Sequence, residues 1–194
     1  MKRTFIGIKI QAKERFLDQL VDIRQRLVRE KINWVNPERF HITLHFIGKS
    51  SDQLIESIDH ELCSLIPDFP RPEIRIARLG VFPNVRKAKV LWADLEYGEQ
   101  LIELQQAIVK IMKQHGQEIE KREFKPHLTL GRFKYPPHRD RLNKVLEHYA
   151  HTVFDEQITD GVTFFESQLD RTGPNYSPLH IYAFNDAILN RISR

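Results

Sequence analysis

One short phrase occurs twice in this chain. His41-Ile42-Thr43-Leu44 and His127-Leu128-Thr129-Leu130 set the same His-x-Thr-Leu frame 86 positions apart. For this composition chance supplies roughly 0.03 such matches per chain, and two independent ones on the order of 0.0005. A duplication explains the pair better, and it predicts that the surrounding elements recur at the same offset. The alternating run Thr4 to Ile10 reads as a strand, and so does its shifted image, Val90 to Glu96. Phe16, Leu20, Ile23 and Leu27 have helical spacing, matched by Leu101, Leu104, Ile108 and Met112, with Gly116 as a helix stop.

After the first motif, Ser50 and Gln53 suggest a capping box for a helix carrying Leu54, Ile58, Leu62 and Leu65. After the second, Leu142, Val145, Leu146 and Tyr149 occupy the corresponding window, and Glu73 to Leu79 maps onto Thr159 to Phe165. The chain therefore reads as two copies of strand, helix, motif strand, helix, strand, spanning about 4–80 and 90–166. Asp160-Gly161 suggests a hairpin turn, and Arg171 to Pro178 a loop before a last strand, His180 to Asn185. No Gly/Ser linker separates the copies, so the expectation is one domain over 1–194, built as two pseudo-symmetric lobes.

Composition narrows the setting. Charged residues at 29% and aromatics at 10% in 194 residues describe an ordinary folded chain and exclude intrinsic disorder. The single cysteine, Cys63, cannot close an intramolecular disulfide and lacks the spacing of a Cys-based zinc motif, which points to a reducing cytoplasm. The amino terminus lacks the continuous apolar core of a signal peptide, and no run reaches the roughly 18 apolar residues that span a bilayer. No membrane partner is expected. The net charge of +4 permits a phosphate-bearing ligand without demanding one.

The motifs carry the chemistry. Both lie in β-branched and apolar runs, so residues i and i+2 share a strand face and His41 stands with Thr43, His127 with Thr129. Two imidazoles across a cleft are what in-line displacement at phosphorus needs, one taking a proton from the attacking oxygen and one protonating the departing oxygen. The threonine hydroxyls can donate to the non-bridging oxygens. Neither metal nor cofactor is required. A lone His-x-Thr would more simply be a packed structural histidine, but two in a matched repeat are poorly served by packing, since buried imidazoles need hydrogen-bond partners. His45 shares the face of His41 if the strand is regular, making it a wall of the cleft. A metal site at His41 and His45 would need a helix and an acidic companion, and neither is present.

The phrases RFHITLHFIG and KPHLTLGRF, with LGVFPNVRKAKVLWADL between them and ESQLDRTGPNYSPL near the end, resemble the bacterial and archaeal RNA 2′,3′-cyclic phosphodiesterase family, or 2′-5′ RNA ligase-like family, of the two-histidine phosphoesterase superfamily. The resemblance covers essentially the whole chain. It implies an α+β, bilobal, pseudo-twofold fold whose antiparallel sheets flank a central cleft with helices outside. It also implies hydrolysis of a 2′,3′-cyclic phosphate on an RNA end or nucleotide to the 2′-phosphate. By that resemblance His127 activates water as proton acceptor and His41 protonates the 3′ oxygen as proton donor. Reversed, the same machinery would form a 2′-5′ linkage.

Arg132 follows the second motif where the family carries a basic residue near the nucleotide, and Phe46 holds the same place after the first. A guanidinium can stack on a base or hold phosphate, and a phenyl ring can only stack. Strict alternation turns both away from the His-Thr face, so their participation needs a bulge, which Gly131 could supply. Tyr176, in the GPNY loop, is a further substrate contact. Arg75, Arg78, Arg86, Lys87 and Lys89 could guide RNA toward the cleft or form a solvated face. Two other readings stay open: a two-histidine phosphoesterase for another cyclic or 2′-5′ phosphodiester, and a nucleotide- or RNA-binding module without turnover. A monomer is the expectation in each case.

Overall fold

The computed structural model describes residues 1–119, 123–170 and 173–185. Strands β1 (Lys2–Lys9), β2 (Ile32–Trp34), β3 (His41–Ser50), β4 (Glu73–Phe82), β5 (Val90–Tyr97), β6 (His127–Phe133), β7 (Val153–Ile158), β8 (Gly161–Asp170) and β9 (Gly173–Ala183) form one sheet. Its order is β7-β4-β5-β6-β3-β1-β8-β9, with β2 pairing β6 off that path. Helices α1 (Glu14–Arg26), α2 (Asp52–Leu65), α3 (Glu99–Gln114) and α4 (Arg139–His148) complete the layers.

The order is nearly a palindrome of the repeat. β3 and β6 meet at the centre, β1 and β5 flank them, and β4 and β8 come next. The central strands are joined antiparallel through one pair, Ile42 with Leu128. These two residues are equivalent in the repeat, so a pseudo-twofold axis passes between them. The expected pair of antiparallel sheets is thus a single sheet whose two halves diverge from this junction and leave a cleft.

The copies interlock. β4 closes the first copy in sequence yet pairs with β5 and β7, in the half that holds the second motif, while β8 pairs with β1 and β9. Helices cross as well: α1 packs on β7, with Phe16 and Phe154 ring centroids 5.3 Å apart, and α3 packs on β3 and α2. The connection from β1 to α1 is tied to β7 by Lys13, whose ammonium is 3.0 Å from the Asp155 carboxylate. Asp160-Gly161 is accordingly no hairpin turn. It carries the chain from β7 in one half to β8 in the other, and those strands are not paired.

The helices form where apolar periodicity supplies a buried stripe: Phe16, Leu20 and Ile23 in α1, Ile58 and Leu62 in α2, and Leu101, Leu104, Ile108, Ile111 and Met112 in α3. Each such fully buried side chain contributes about 1.5–3 kcal/mol by leaving water. Helix α3 stops at Gly116, whose φ of +67° is easy only for glycine, and Gln117 N–H returns to the Met112 carbonyl at 3.0 Å. Helix α2 is capped by Ser51, whose Oγ accepts from Leu54 N–H at 3.2 Å, and not by Ser50. Ser50 is buried, with its hydroxyl 2.6 Å from that of Thr4, because β3 runs on through it. The expected loop over Arg171 to Pro178 is also corrected. Gly173 to Pro178 already belongs to β9, paired with β8, while Arg171 and Thr172 lie outside the described residues.

Candidate active site

Both histidines open their strands, and the backbone before each one fixes its ring. His41 Nδ1 is 2.8 Å from the Arg39 carbonyl oxygen, and His127 Nδ1 is 2.8 Å from the Lys125 carbonyl oxygen. A carbonyl only accepts, so Nδ1 is the protonated nitrogen in each ring and Nε2 is left for a ligand. Arg39 and Lys125 are themselves equivalent in the repeat. With Ile42 opposite Leu128, the antiparallel register sets His41 level with Thr129 and Thr43 level with His127. Each imidazole is thereby matched with the hydroxyl of the other motif. The intervening Ile42, Leu44, Leu128 and Leu130 are buried under the helices, which holds the four polar side chains on the opposite face.

Past the threonines the alternation breaks at equivalent places. β1 pairs Gly7 with Thr43 and Ile6 with His45, passing over Leu44, and β5 pairs Trp92 with Thr129 and Leu91 with Gly131, passing over Leu130. A bulge exchanges the faces of everything after it. Phe46 therefore stands beside Phe5, and Arg132 beside Val90, on the histidine face. The bulge that their participation required is present twice, at Leu44 and Leu130. Gly131 has a different role from the expected bend: a Cβ there would lie 2.6 Å from Ile32 Cγ2, so glycine lets β2 close on β6. The same bulge overturns the expectation for His45, which is buried beside Ile6 in the core and is no wall of the cleft.

Aromatic rings enclose the imidazoles. His41 has the Phe5 centroid at 4.9 Å, Tyr176 edge-on at 4.9 Å and Phe165 at 5.8 Å. His127 has Phe82 edge-on at 4.9 Å and Trp92 at 6.2 Å. Burial pushes the pKa of both histidines down, and the Arg132 charge adds to this in each case. His41 also feels the charge of His127, which marks the two rings as electrostatic neighbours. Tyr176 sits on β9 and not in a loop; burial holds its phenol proton on, against the opposing pull of Arg132, Arg39 and Arg3. The Arg3 guanidinium lies 4.9 Å from the centroid of Phe46, which is 48% exposed.

Of the residues singled out in the sequence, His41, His127, Thr43, Thr129, Arg132, Phe46 and Tyr176 thus share one face. Arg75 and Arg78 do not present free charge, since Arg75 pairs with Glu96 and Glu156, and Arg78 with Asp94 and Glu96. Sequence reasoning missed the aromatic wall of Phe5, Phe165, Phe82 and Trp92, which comes from strands without a motif. It also missed the carbonyls of Arg39 and Lys125, although a basic residue two positions before each histidine was visible. A cavity of about 1410 Å³ lies alongside, lined in part by Lys9, the cross-strand neighbour of His41, and by Arg75, Glu96 and Glu156. It contains neither histidine, and both stand on the open face between β3 and β6. No helix among the described residues is long and apolar enough to cross a membrane.

Comparison with known proteins adds three findings. The model of the family described as the 2′-5′ RNA ligase superfamily matches residues 14–159. An RNA 2′,3′-cyclic phosphodiesterase of Thermotoga maritima is 29% identical over 189 residues, 96% of this chain and 98% of that protein. Among solved structures, the TT0787 protein of Thermus thermophilus superposes with a TM-score of 0.76 at 23% identity, covering 93% of this chain and 97% of its own. E. coli LigT complexed with 3′-AMP does so at 0.70 and 20%, covering 94% and 98%. At those identities the two structures speak for a shared fold.

Proposed function

The chain belongs to the 2′-5′ RNA ligase superfamily, and on that premise we propose that it is an RNA 2′,3′-cyclic phosphodiesterase working through His41 and His127. The observation that carries this reading is the duplicated clamp: two imidazoles, each held at Nδ1 by the carbonyl two residues before it, offer Nε2 to one face beside a pseudo-twofold axis. Relatives along nearly the whole chain bear the name of this activity. A structure of the same fold is a complex with 3′-AMP.

In the reaction, His127 Nε2 takes a proton from water as its oxygen attacks phosphorus in line. The bond from phosphorus to the 3′ oxygen breaks, and that oxygen takes the proton carried by His41 Nε2, leaving a 2′-phosphate. The leaving oxygen remains on the nucleoside, so the acid belongs on the nucleoside side of phosphorus. His41 suits that side because aromatic surface for a base, exposed Phe46 and half-buried Tyr176, stands with it. Thr43 and Thr129 donate to the non-bridging oxygens, and Arg132 offsets their charge. No step needs a metal or cofactor. With an RNA 5′-hydroxyl in place of water as the attacking group, the same transfers in the same direction form a 2′-5′ linkage. Residues 1–194 would act as one two-lobed unit, as a monomer in the cytoplasm, on RNA ends or nucleotides.

The test is incubation of the purified chain with 2′,3′-cyclic mononucleotides and a cyclic-phosphate-ended RNA in EDTA, followed by product identification. We expect a 2′-phosphate. Turnover confined to a 2′-5′ dinucleotide would move the substrate class, and tight binding of every cyclic phosphate without turnover would leave a binding module.

A further inference from the structure

On the face of the sheet away from the cleft, three side chains unused by this chemistry come together. Asp59 and Cys63 stand one turn apart on α2, and His180 reaches them from the edge strand β9. His180 Nδ1 is 2.9 Å from Asp59 Oδ1, and its Nε2 is 4.0 Å from Cys63 Sγ. One possible ligand atom from each residue lies within 4.8 Å of the others. Tyr182 fixes the arrangement: its hydroxyl donates to Asp59 Oδ1 at 2.5 Å, and its ring stacks on the imidazole with centroids 4.5 Å apart and 1° between planes.

We propose that Cys63 and His180 ligate a divalent cation of the zinc class, with Asp59 holding the imidazole in place. Thiolate and imidazole together favour zinc, or cobalt in its place, over magnesium or calcium, which take oxygen ligands. A tetrahedral zinc bonded to sulfur and imidazole nitrogen keeps those atoms about 3.6 Å apart, so the observed spacing closes by a few tenths of an ångström with a small turn of the exposed cysteine. The imidazole is already set for this. Its Nδ1–H is given to a carboxylate, the usual support of a ligating histidine, and its Nε2 lone pair points toward the sulfur. The Asp59 and His180 side chains are 33% and 44% exposed, open enough for an ion to enter.

Slight desolvation and the Asp59 carboxylate raise the pKa of the exposed Cys63 thiol, which keeps its proton on. Binding therefore releases that proton to solvent as the metal–sulfur bond forms, and affinity rises with pH. The bound ion would fasten α2 to the edge strand β9, on the side of the sheet opposite the histidines. Its effect is on stability, separate from phosphodiester chemistry.

The experiment is titration of the full chain, stripped with chelator and kept reduced, with cobalt(II). We expect a thiolate-to-cobalt charge-transfer absorption that ends at one equivalent, is removed by zinc, and is indifferent to excess magnesium. Cys63→Ser and His180→Ala should abolish it, and Asp59→Asn should weaken binding about 10- to 100-fold. Unchanged cyclic-phosphate hydrolysis by Cys63→Ser certifies its fold. Independently of any variant, zinc should raise the thermal midpoint of the wild-type chain above its value in chelator. A wild-type chain without the charge-transfer band, an equal band in His180→Ala, or a midpoint indifferent to zinc would overturn the site.

Discussion

The two halves of the cleft share their backbone and differ in their walls. Around both His41 and His127 the chain repeats the carbonyl clamp at 2.8 Å, the threonine two residues on and the bulge after it. Beyond the bulge the first half ends in exposed Phe46 and the second in Arg132. The first is lined by Phe5, Phe165 and Tyr176, the second by Phe82 and Trp92. A perfectly symmetric site could not assign one histidine as acid and the other as base. On the proposed reading, the shared parts supply two equivalent proton carriers, and the unshared walls orient the ligand between them.

The hardest test of that division removes the carriers themselves. His41→Ala and His127→Ala should each lower kcat/KM by about 10³-fold, within the range for general acid–base groups. The halves then separate by leaving group. A cyclic substrate with sulfur in place of the bridging 3′ oxygen departs without a proton, so it should restore turnover to His41→Ala and not to His127→Ala. The reverse pattern would exchange the roles while keeping the pair. The next largest effect concerns what the halves share. Thr43→Ala and Thr129→Ala should each cost about 10²-fold, mostly in kcat, as expected for donors to oxygens that gain charge. The Thr→Ser variants keep the hydroxyl and should remain within a few-fold of wild type.

The walls should respond differently from each other. Arg132→Ala loses a charged contact to phosphate worth about 1.5–3 kcal/mol and should raise KM about 10- to 100-fold for any cyclic phosphate. Phe46→Ala loses base stacking of about 1 kcal/mol and should raise KM about 5-fold, but only for substrates that carry a base. Steady-state kinetics with a cyclic nucleotide and with the cyclic phosphate of ribose alone distinguish the two. Equal effects of both substitutions on both substrates would mean that the walls do not orient the ligand.

What was legible in the sequence follows from where each signal resides. The repeat exposed the histidines and threonines because an imidazole and a hydroxyl at i and i+2 leave a side-chain signature. Helix stripes were equally visible, since burying Phe16, Leu20 and Ile23 requires their spacing. The bulges at Leu44 and Leu130 were not, because passing over one residue changes backbone pairing without changing residue type. Regular alternation therefore puts His45 on the wrong face and turns Phe46 and Arg132 away from the histidines. The exchange of β4 and β8 between halves was hidden for a related reason: partner choice at long range is set by how the helices cross, and hydrophobic periodicity is the same whichever strand a strand pairs with.

The smallest expected effect lies in pH dependence, and it probes both halves together. Burial depresses the pKa of both histidines, with Arg132 adding its charge to each. A depressed pKa means that the proton is lost at lower pH than from a free imidazole. Catalysis needs one ring protonated and one neutral, so kcat/KM, which reports the free enzyme, should peak on the acid side of the ordinary imidazole value and fall on both sides. Bound phosphate brings negative charge that favours imidazolium, so the alkaline limb of kcat should lie at higher pH than that of kcat/KM. Arg132→Ala removes a charge that disfavours both imidazolium forms and should move the kcat/KM optimum upward. The stability sign is linked to the same groups. The unfolded chain takes up protons first as pH falls below the ordinary imidazole value, so stability is full above that value and declines as pH drops through the folded pKa values. His127→Ala should flatten that part of the thermal-midpoint profile. If Arg132→Ala left the kcat/KM profile in place, desolvation alone would set the histidines, and the difference between Phe46 and Arg132 would concern ligand binding with no part in proton affinity.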